Sequence, residues 1–171
     1  MIILGLDPSL TNFGWAVHDT SAEGATRCIS RGRFKTLSKM VFVDRYVYMR
    51  ESLRSLIQES NPDKIGIESP VFNDLWSEGM YGLFLYSSEA LKAEKKDVVF
   101  FSPGQLKAHA RVFLGRPTKP MWKMLKADMV EAAKTDTGGK GKWNHNEADA
   151  YWCANLAGRF YDYLYVEDER Y

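Results

Sequence analysis

At 171 residues the chain has the length of one domain that can bury a core without disulfides or a structural metal. Hydrophobic residues at 45% and charged residues at 26% are those of a soluble globular protein, and no apolar run approaches the ~18 residues of a membrane helix. The net charge of +1 argues against a polyanionic partner only on average, because the charge is segregated along the chain. Between Lys107 and Lys142 the basic residues Lys107, Arg111, Arg116, Lys119, Lys123, Lys126, Lys134, Lys140 and Lys142 face only Asp128, Glu131 and Asp136. Such a run can simply solvate helix faces, but Phe113 and Trp122 within it favour a polyanion. Cys28 and Cys153 lie far apart in no metal-ligand spacing, which suits a reducing compartment and a cytoplasmic location. The start of the chain has no basic region before its short apolar run, so no export signal is expected.

Ile2 to Leu6 reads as a buried strand closed by the Asp7-Pro8 turn, which leaves Asp7 at its C-terminal lip. Gly14 to His18 and Thr26 to Phe34 pair as further strands around a Glu23-Gly24 turn. From Ser38 to Glu59 the apolar positions recur at three and four, which predicts a helix capped by Ser38 and stopped by Asn61-Pro62. Lys64 to Glu68 repeats the first pattern, a short buried strand ending in a carboxylate, followed by Ser69-Pro70. A helix over 75–93, a strand over 98–101, a short helix over 105–114 and a helix over 122–133 follow. Such alternation predicts an α/β fold with parallel strands. A glycine- and lysine-rich loop over 135–142 precedes a last helix from about Asn144 to Tyr165. Asn144 and Glu147 have the spacing of a capping box, which gives Glu147 a structural task. Asp149, Trp152, Cys153, Leu156 and Phe160 share one helix face, so Asp149 is predicted to look toward the sheet.

In an open α/β sheet, chemistry collects beyond the C-terminal ends of the strands, where Asp7 and Glu68 stand. Carboxylates held together raise each other's pKa unless a cation neutralises them. Oxygen donors without cysteine or paired histidine point to Mg²⁺ or Mn²⁺. Two such ions about 4 Å apart can activate a water and stabilise a leaving oxygen in phosphoryl transfer. Each carboxylate alone has an ordinary explanation as a turn, a solvated strand end or a helix-dipole partner. Two strand ends and the inward face of a late helix together are harder to explain that way.

These residues also carry a resemblance. Gly5-Leu6-Asp7-Pro8-Ser9, followed by Gly14 and Trp15, resembles the opening motif of the RuvC-type Holliday junction resolvases. Ile67-Glu68 is similar to their second motif and Ala148-Asp149-Ala150 to the end of their last. The resemblance implies one RNase H-like nuclease domain over 1–171, with a mixed five-stranded sheet flanked by helices. It also implies a homodimer that cuts branched DNA (four-way junctions, flaps or Y-forms) with Mg²⁺ or Mn²⁺, two ions per site. Asp7, Glu68 and Asp149 would be the metal ligands. Asn146 stands where the family has an acidic or histidine ligand, so either its weaker oxygen serves or His145 does. Phe72 resembles an aromatic that stacks on an unpaired base, worth on the order of 1–3 kcal/mol per base. Lys107 and Lys126 resemble basic residues at the scissile phosphate, although an insertion over 116–120 leaves Lys119 or Lys123 open for the second role. Arg111 and Arg116 complete the expected DNA surface. Ser9 replaces the family's glycine.

Two alternatives follow from the same residues. The sugar-kinase and actin-like group shares an early Asp at the end of its first strand but requires a duplicated domain. A branched-DNA-binding protein with a weakened metal site would keep the basic surface and lose cutting.

Overall fold

A computed structural model describes residues 1–23, 27–69, 78–114, 123–139 and 141–167, with side chains through Arg159. Five strands, β1 (Ile2–Asp7), β2 (Asn12–Asp19), β3 (Cys28–Lys35), β4 (Lys64–Glu68) and β5 (Asp97–Phe101), form one sheet in the order β3-β2-β1-β4-β5. β1, β2 and β3 are antiparallel neighbours, while β4 and β5 run parallel to β1. The sheet is mixed, as expected. Among the described residues no helix is long and apolar enough to cross a membrane.

The twofold alternation of a strand explains where the helices lie. Leu4 and Leu6 of β1 and Ile65 and Ile67 of β4 join a core with α1 (Phe42–Ser60) and α2 (Glu78–Ala93) on one face. Ile3 of β1 and Ala16 of β2 join the core on the other face, built with α3 (Pro103–Arg111), α4 (Lys126–Asp136) and α5 (His145–Glu167). Asp7 is in phase with Ile3, and Glu68 with Gly66 against α5, so both strand-end carboxylates turn toward α5. Leu6 pairs with Ile67, which sets Asp7 and Glu68 side by side.

α5 lies unusually close to the sheet. An added Cβ at Gly5 would stand 2.0 Å from the Ala150 carbonyl oxygen, and one at Gly14 would stand 2.1 Å from that of Asn146. Only glycine permits this approach, which brings the first turn of α5 over the ends of β1 and β2.

Several helix boundaries differ from the sequence expectation. α1 starts at Phe42 after Val41, and the Ser38 carbonyl instead accepts from the Arg45 guanidinium. It stops, as predicted, at Asn61 in the left-handed region. α3 starts earlier, at Pro103, because Ser102 and Gln105 form a capping box. Its tail, Val112–Leu114, is 3₁₀. α4 starts at Lys126, with the Leu125 N–H held by Asp128 at 2.7 Å, and continues to Asp136. Position 122, read as its start, lies outside the described residues. The chain then turns through Gly138, Gly139 and Gly141, all at positive φ.

Candidate metal centre

One oxygen from each of Asp7, Glu68 and Asp149 can be chosen so that all lie within 4.8 Å of one another, the one such acidic, histidine or cysteine grouping among the described residues. Burial, then the charges of Glu68 and Asp149, hold the Asp7 carboxyl well above the usual carboxylate range. Burial also raises Glu68, against its hydrogen bond with Asp7 and the ammonium groups of Lys107 and Lys126. Asp149 is pushed up to about 7 by burial and then by Glu68, with Lys126 and Lys107 opposing. The shared cause is desolvation of like charges, a state that protons or a cation relieve. The Cys153 thiol sits beneath this group, bonded to the Leu6 backbone and forced far upward by burial and by the three carboxylates. Both cysteines are free.

Asn146 and His145 separate in the structure. Asn146 is buried, and its side chain hydrogen-bonds the Asp7 carboxylate. His145 lies outside the carboxylate group. It lines an adjoining groove of about 480 Å³ with Lys126, Lys134 and Trp143. Burial, then Lys126 and Arg33, press its pKa down.

Asn144 caps α5, accepting from the Asn146 N–H at 3.0 Å. The other half of the expected capping box is a correction. Glu147 reaches across to β3, 3.1 Å from Arg33 Nε and 3.6 Å from Arg31 Nε. A charged partner on the sheet outcompetes a backbone N–H. Arg33 also donates to Asn12, and Arg31 covers the Trp143 ring at 3.8 Å. This anchoring of the first turn was missed in the sequence, because Arg31 and Arg33 lie far from Glu147 along the chain.

Lys107 and Lys126 stand at the mouth of the site. Together with Glu68, Asp149, Met124, Leu125 and Met129 they line a cleft of about 320 Å³. Lys123 is exposed just before it, and Arg111 ends α3 outside the cleft lining. Positions 72, 116 and 119, expected to contact DNA, lie outside the described residues. The arrangement offers hard oxygen donors, a fixed Asp7 and two ammonium groups beside an open cleft, a set suited to a divalent cation and a phosphate.

A five-stranded mixed sheet with carboxylates converging at its parallel strand ends defines a protein of the RNase H-like class. No protein-family model matches the sequence. Crossover junction endodeoxyribonuclease RuvC of Sphingopyxis alaskensis is 35% identical over 74 residues, 43% of this chain and 47% of that protein. The corresponding RuvC of Alkaliphilus metalliredigens is 34% identical over 124 residues, 70% of this chain and 73% of that protein. The chain belongs to the RuvC family of crossover junction endodeoxyribonucleases. Its match to the first of these relatives spans about half of that protein's length. Among solved structures, Thermus thermophilus RuvC superposes with a TM-score of 0.74 at 18% identity, covering 96% of both chains. The same protein in complex with Holliday junction substrate gives 0.73.

Proposed function

We propose that this chain is a divalent-metal-dependent endonuclease that cuts branched DNA, four-way junctions foremost, in the cytoplasm. The observation that carries this reading is the convergence of Asp7, Glu68 and Asp149 within 4.8 Å in a desolvated setting. These three carboxylates, with the Asn146 side chain beside Asp7, would hold Mg²⁺ or Mn²⁺, two ions in the reading we favour. Such ions, when bound, supply an activated water and charge stabilisation for the leaving oxygen. The chain's own side chains do the rest. Asn146 fixes the Asp7 carboxylate, and the Glu147 bridge to Arg33 holds the helix turn that carries it. Lys107 and Lys126 attract the diester to the cleft and offset charge that grows on its oxygens. The related RuvC seen with a Holliday junction supports the choice of substrate.

Cleavage of a labelled four-way junction, a flap and plain duplex, with and without Mg²⁺ or Mn²⁺, tests the proposal. Metal-dependent nicking of the junction, abolished in Asp7→Asn, is the expected result. Junction binding without any metal-dependent nicking would instead establish the binding-only alternative.

A homodimer belongs to the same reading. Phe42, Val43, Val47 and Tyr48 of α1 and Tyr81 and Leu85 of α2 are exposed on two helices that pack together. Apolar surface of this kind on adjoining helices supports an interface between copies. Sedimentation equilibrium should give twice the chain mass, and Val43→Glu with Leu85→Glu should give the monomer.

A further inference from the structure

The middle of α5 borders a second feature, away from the carboxylate group. His18 of β2, in phase with Gly14 and Ala16, faces α5 beside Tyr151, ring centroids 4.5 Å apart. It is 1% exposed, and neither ring nitrogen has a hydrogen-bond partner among the described residues. Buried donors and acceptors are almost always paired, so an orphaned imidazole calls for an explanation. The ring lines a cavity of about 390 Å³ that also exposes Thr20, Arg27, Ala154, Gly158 and Arg159. Ala154 and Gly158 are one helical turn apart, so the cavity exists where α5 carries almost no side chain. The neighbouring acids are engaged elsewhere. Asp136 accepts from Tyr151 and Asn155, and Asp19 accepts from Ser21 and pairs with the N-terminus. Arg27 and Arg159 are the charged side chains of the cavity lining, and Asn155, which donates to Asp136, also borders it. From Asp149 to Gly158 the helix rises roughly 13 Å, too far for one phosphate to serve both ends.

We propose that this cavity binds a phosphate group. Arg27 and Arg159 take its charge and the Thr20 hydroxyl donates to its oxygens, above the buried His18 ring, as guanidinium and phosphate favour. The space exceeds that of orthophosphate and is in the range of small-molecule pockets, which suits a nucleoside monophosphate. The phosphate could come from such a small molecule or from a DNA backbone, and the two sources are separable.

The test is calorimetric and thermal titration of the full chain, without divalent ions, with orthophosphate, with a nucleoside 5′-monophosphate and with chloride at equal ionic strength. The phosphate ligands should bind and, at about a hundredfold excess over Kd, raise Tm by on the order of 5–10 °C, while chloride does not. Arg27→Ala with Arg159→Ala should weaken binding at least about tenfold. Arg50→Ala with Lys92→Ala, an equal charge loss elsewhere, should leave it unchanged. The imidazole ¹⁵N resonances of His18 should shift on phosphate addition. Equal stabilisation by chloride, no binding, or full binding by the Arg27/Arg159 variant overturns the proposal. A duplex oligonucleotide that displaces the monophosphate assigns the site to backbone phosphate, and one that does not assigns it to a free ligand. Junction cleavage by the Arg27/Arg159 variant should match wild type in the free-ligand case.

Discussion

The first turn and the middle of α5 face the same side of the same sheet and meet opposite electrostatic problems. At the first turn, glycines in β1 and β2 draw the helix so close that Asp149 joins Asp7 and Glu68 in one desolvated group. Further along, Ala154 and Gly158 leave a hollow rimmed by Arg27 and Arg159 over an unpaired His18. Strand-end carboxylates meet the helix in one place, and small helix residues border a hollow beside positive charge in the other. Both regions sacrifice stability in the absence of a ligand, as functional sites commonly do.

The largest effect should come from removing one carboxylate. Asp7→Asn, Glu68→Gln and Asp149→Asn should each reduce junction cleavage to background in a gel assay while leaving metal-free junction binding intact. Each should also raise the metal-free Tm, because one member of a repelling set becomes neutral. Retained cutting by any of the three would remove that residue from the metal centre. The cavity beside the middle of α5 should be untouched in all three.

Gly14→Ala probes the close packing itself. Its Cβ would stand 2.1 Å from the Asn146 carbonyl oxygen, backbone that cannot swing aside. Overpacking of this kind costs about 1–3 kcal/mol, readable in urea denaturation. Cleavage should fall with it, since the shifted turn carries Asn146 and Asp149. Unchanged stability and cleavage would mean that the approach of α5 is not needed to assemble the site.

Divalent ions should act next in size. At a hundredfold excess over Kd, Mg²⁺ or Mn²⁺ should stabilise the native protein by about 2.7 kcal/mol, and Asp149→Asn should cancel most of that gain. Asn146→Ala should weaken the metal effect and His145→Ala should not, given that Asn146 touches Asp7 and His145 lines the neighbouring groove.

Much of the carboxylate cluster was legible in the sequence. A short apolar strand ending in a carboxylate appears twice, and Asp149 continues an apolar helix stripe. Alternation along the strands then leaves only one face on which the three can meet. The separation of Asn146 from His145 was not legible, because adjacent residues in a first helical turn differ by about 100° in direction and only the close docking of α5 decides which one meets Asp7. Glu147 was misread for a related reason, since its partners Arg31 and Arg33 lie over a hundred positions away in sequence. The His18 cavity left no local signal. A histidine in a strand looks like any half-polar strand position until the small residues of α5 are laid over it.

The smallest effect is in pH dependence, and it has opposite signs for the carboxylates and for His18. Asp149 titrates near 7 in the folded chain against about 3.9 when unfolded, so between those values the native state holds the extra proton. Its stabilising contribution is full below pH ~4 and is lost as pH rises toward 7. His18 is pushed down to about 3 by burial and Arg27, from about 6.5 when unfolded, so there the unfolded state holds the extra proton. Its contribution is full above pH ~6.5 and is lost as pH falls toward 3. Asp7 and Glu68 shift in the same direction as Asp149, so metal-free wild type should become less stable between pH 4 and 6.5. Neutralising all three carboxylates (Asp7→Asn, Glu68→Gln, Asp149→Asn) should reverse that slope and expose the histidines, since His109 and His145 are lowered along with His18, and His18 alone gives at most about 1.4 kcal/mol per pH unit. Urea midpoints across this range provide the measurement. A triple variant that keeps the wild-type slope would show that the acid response arises elsewhere than in the carboxylate group.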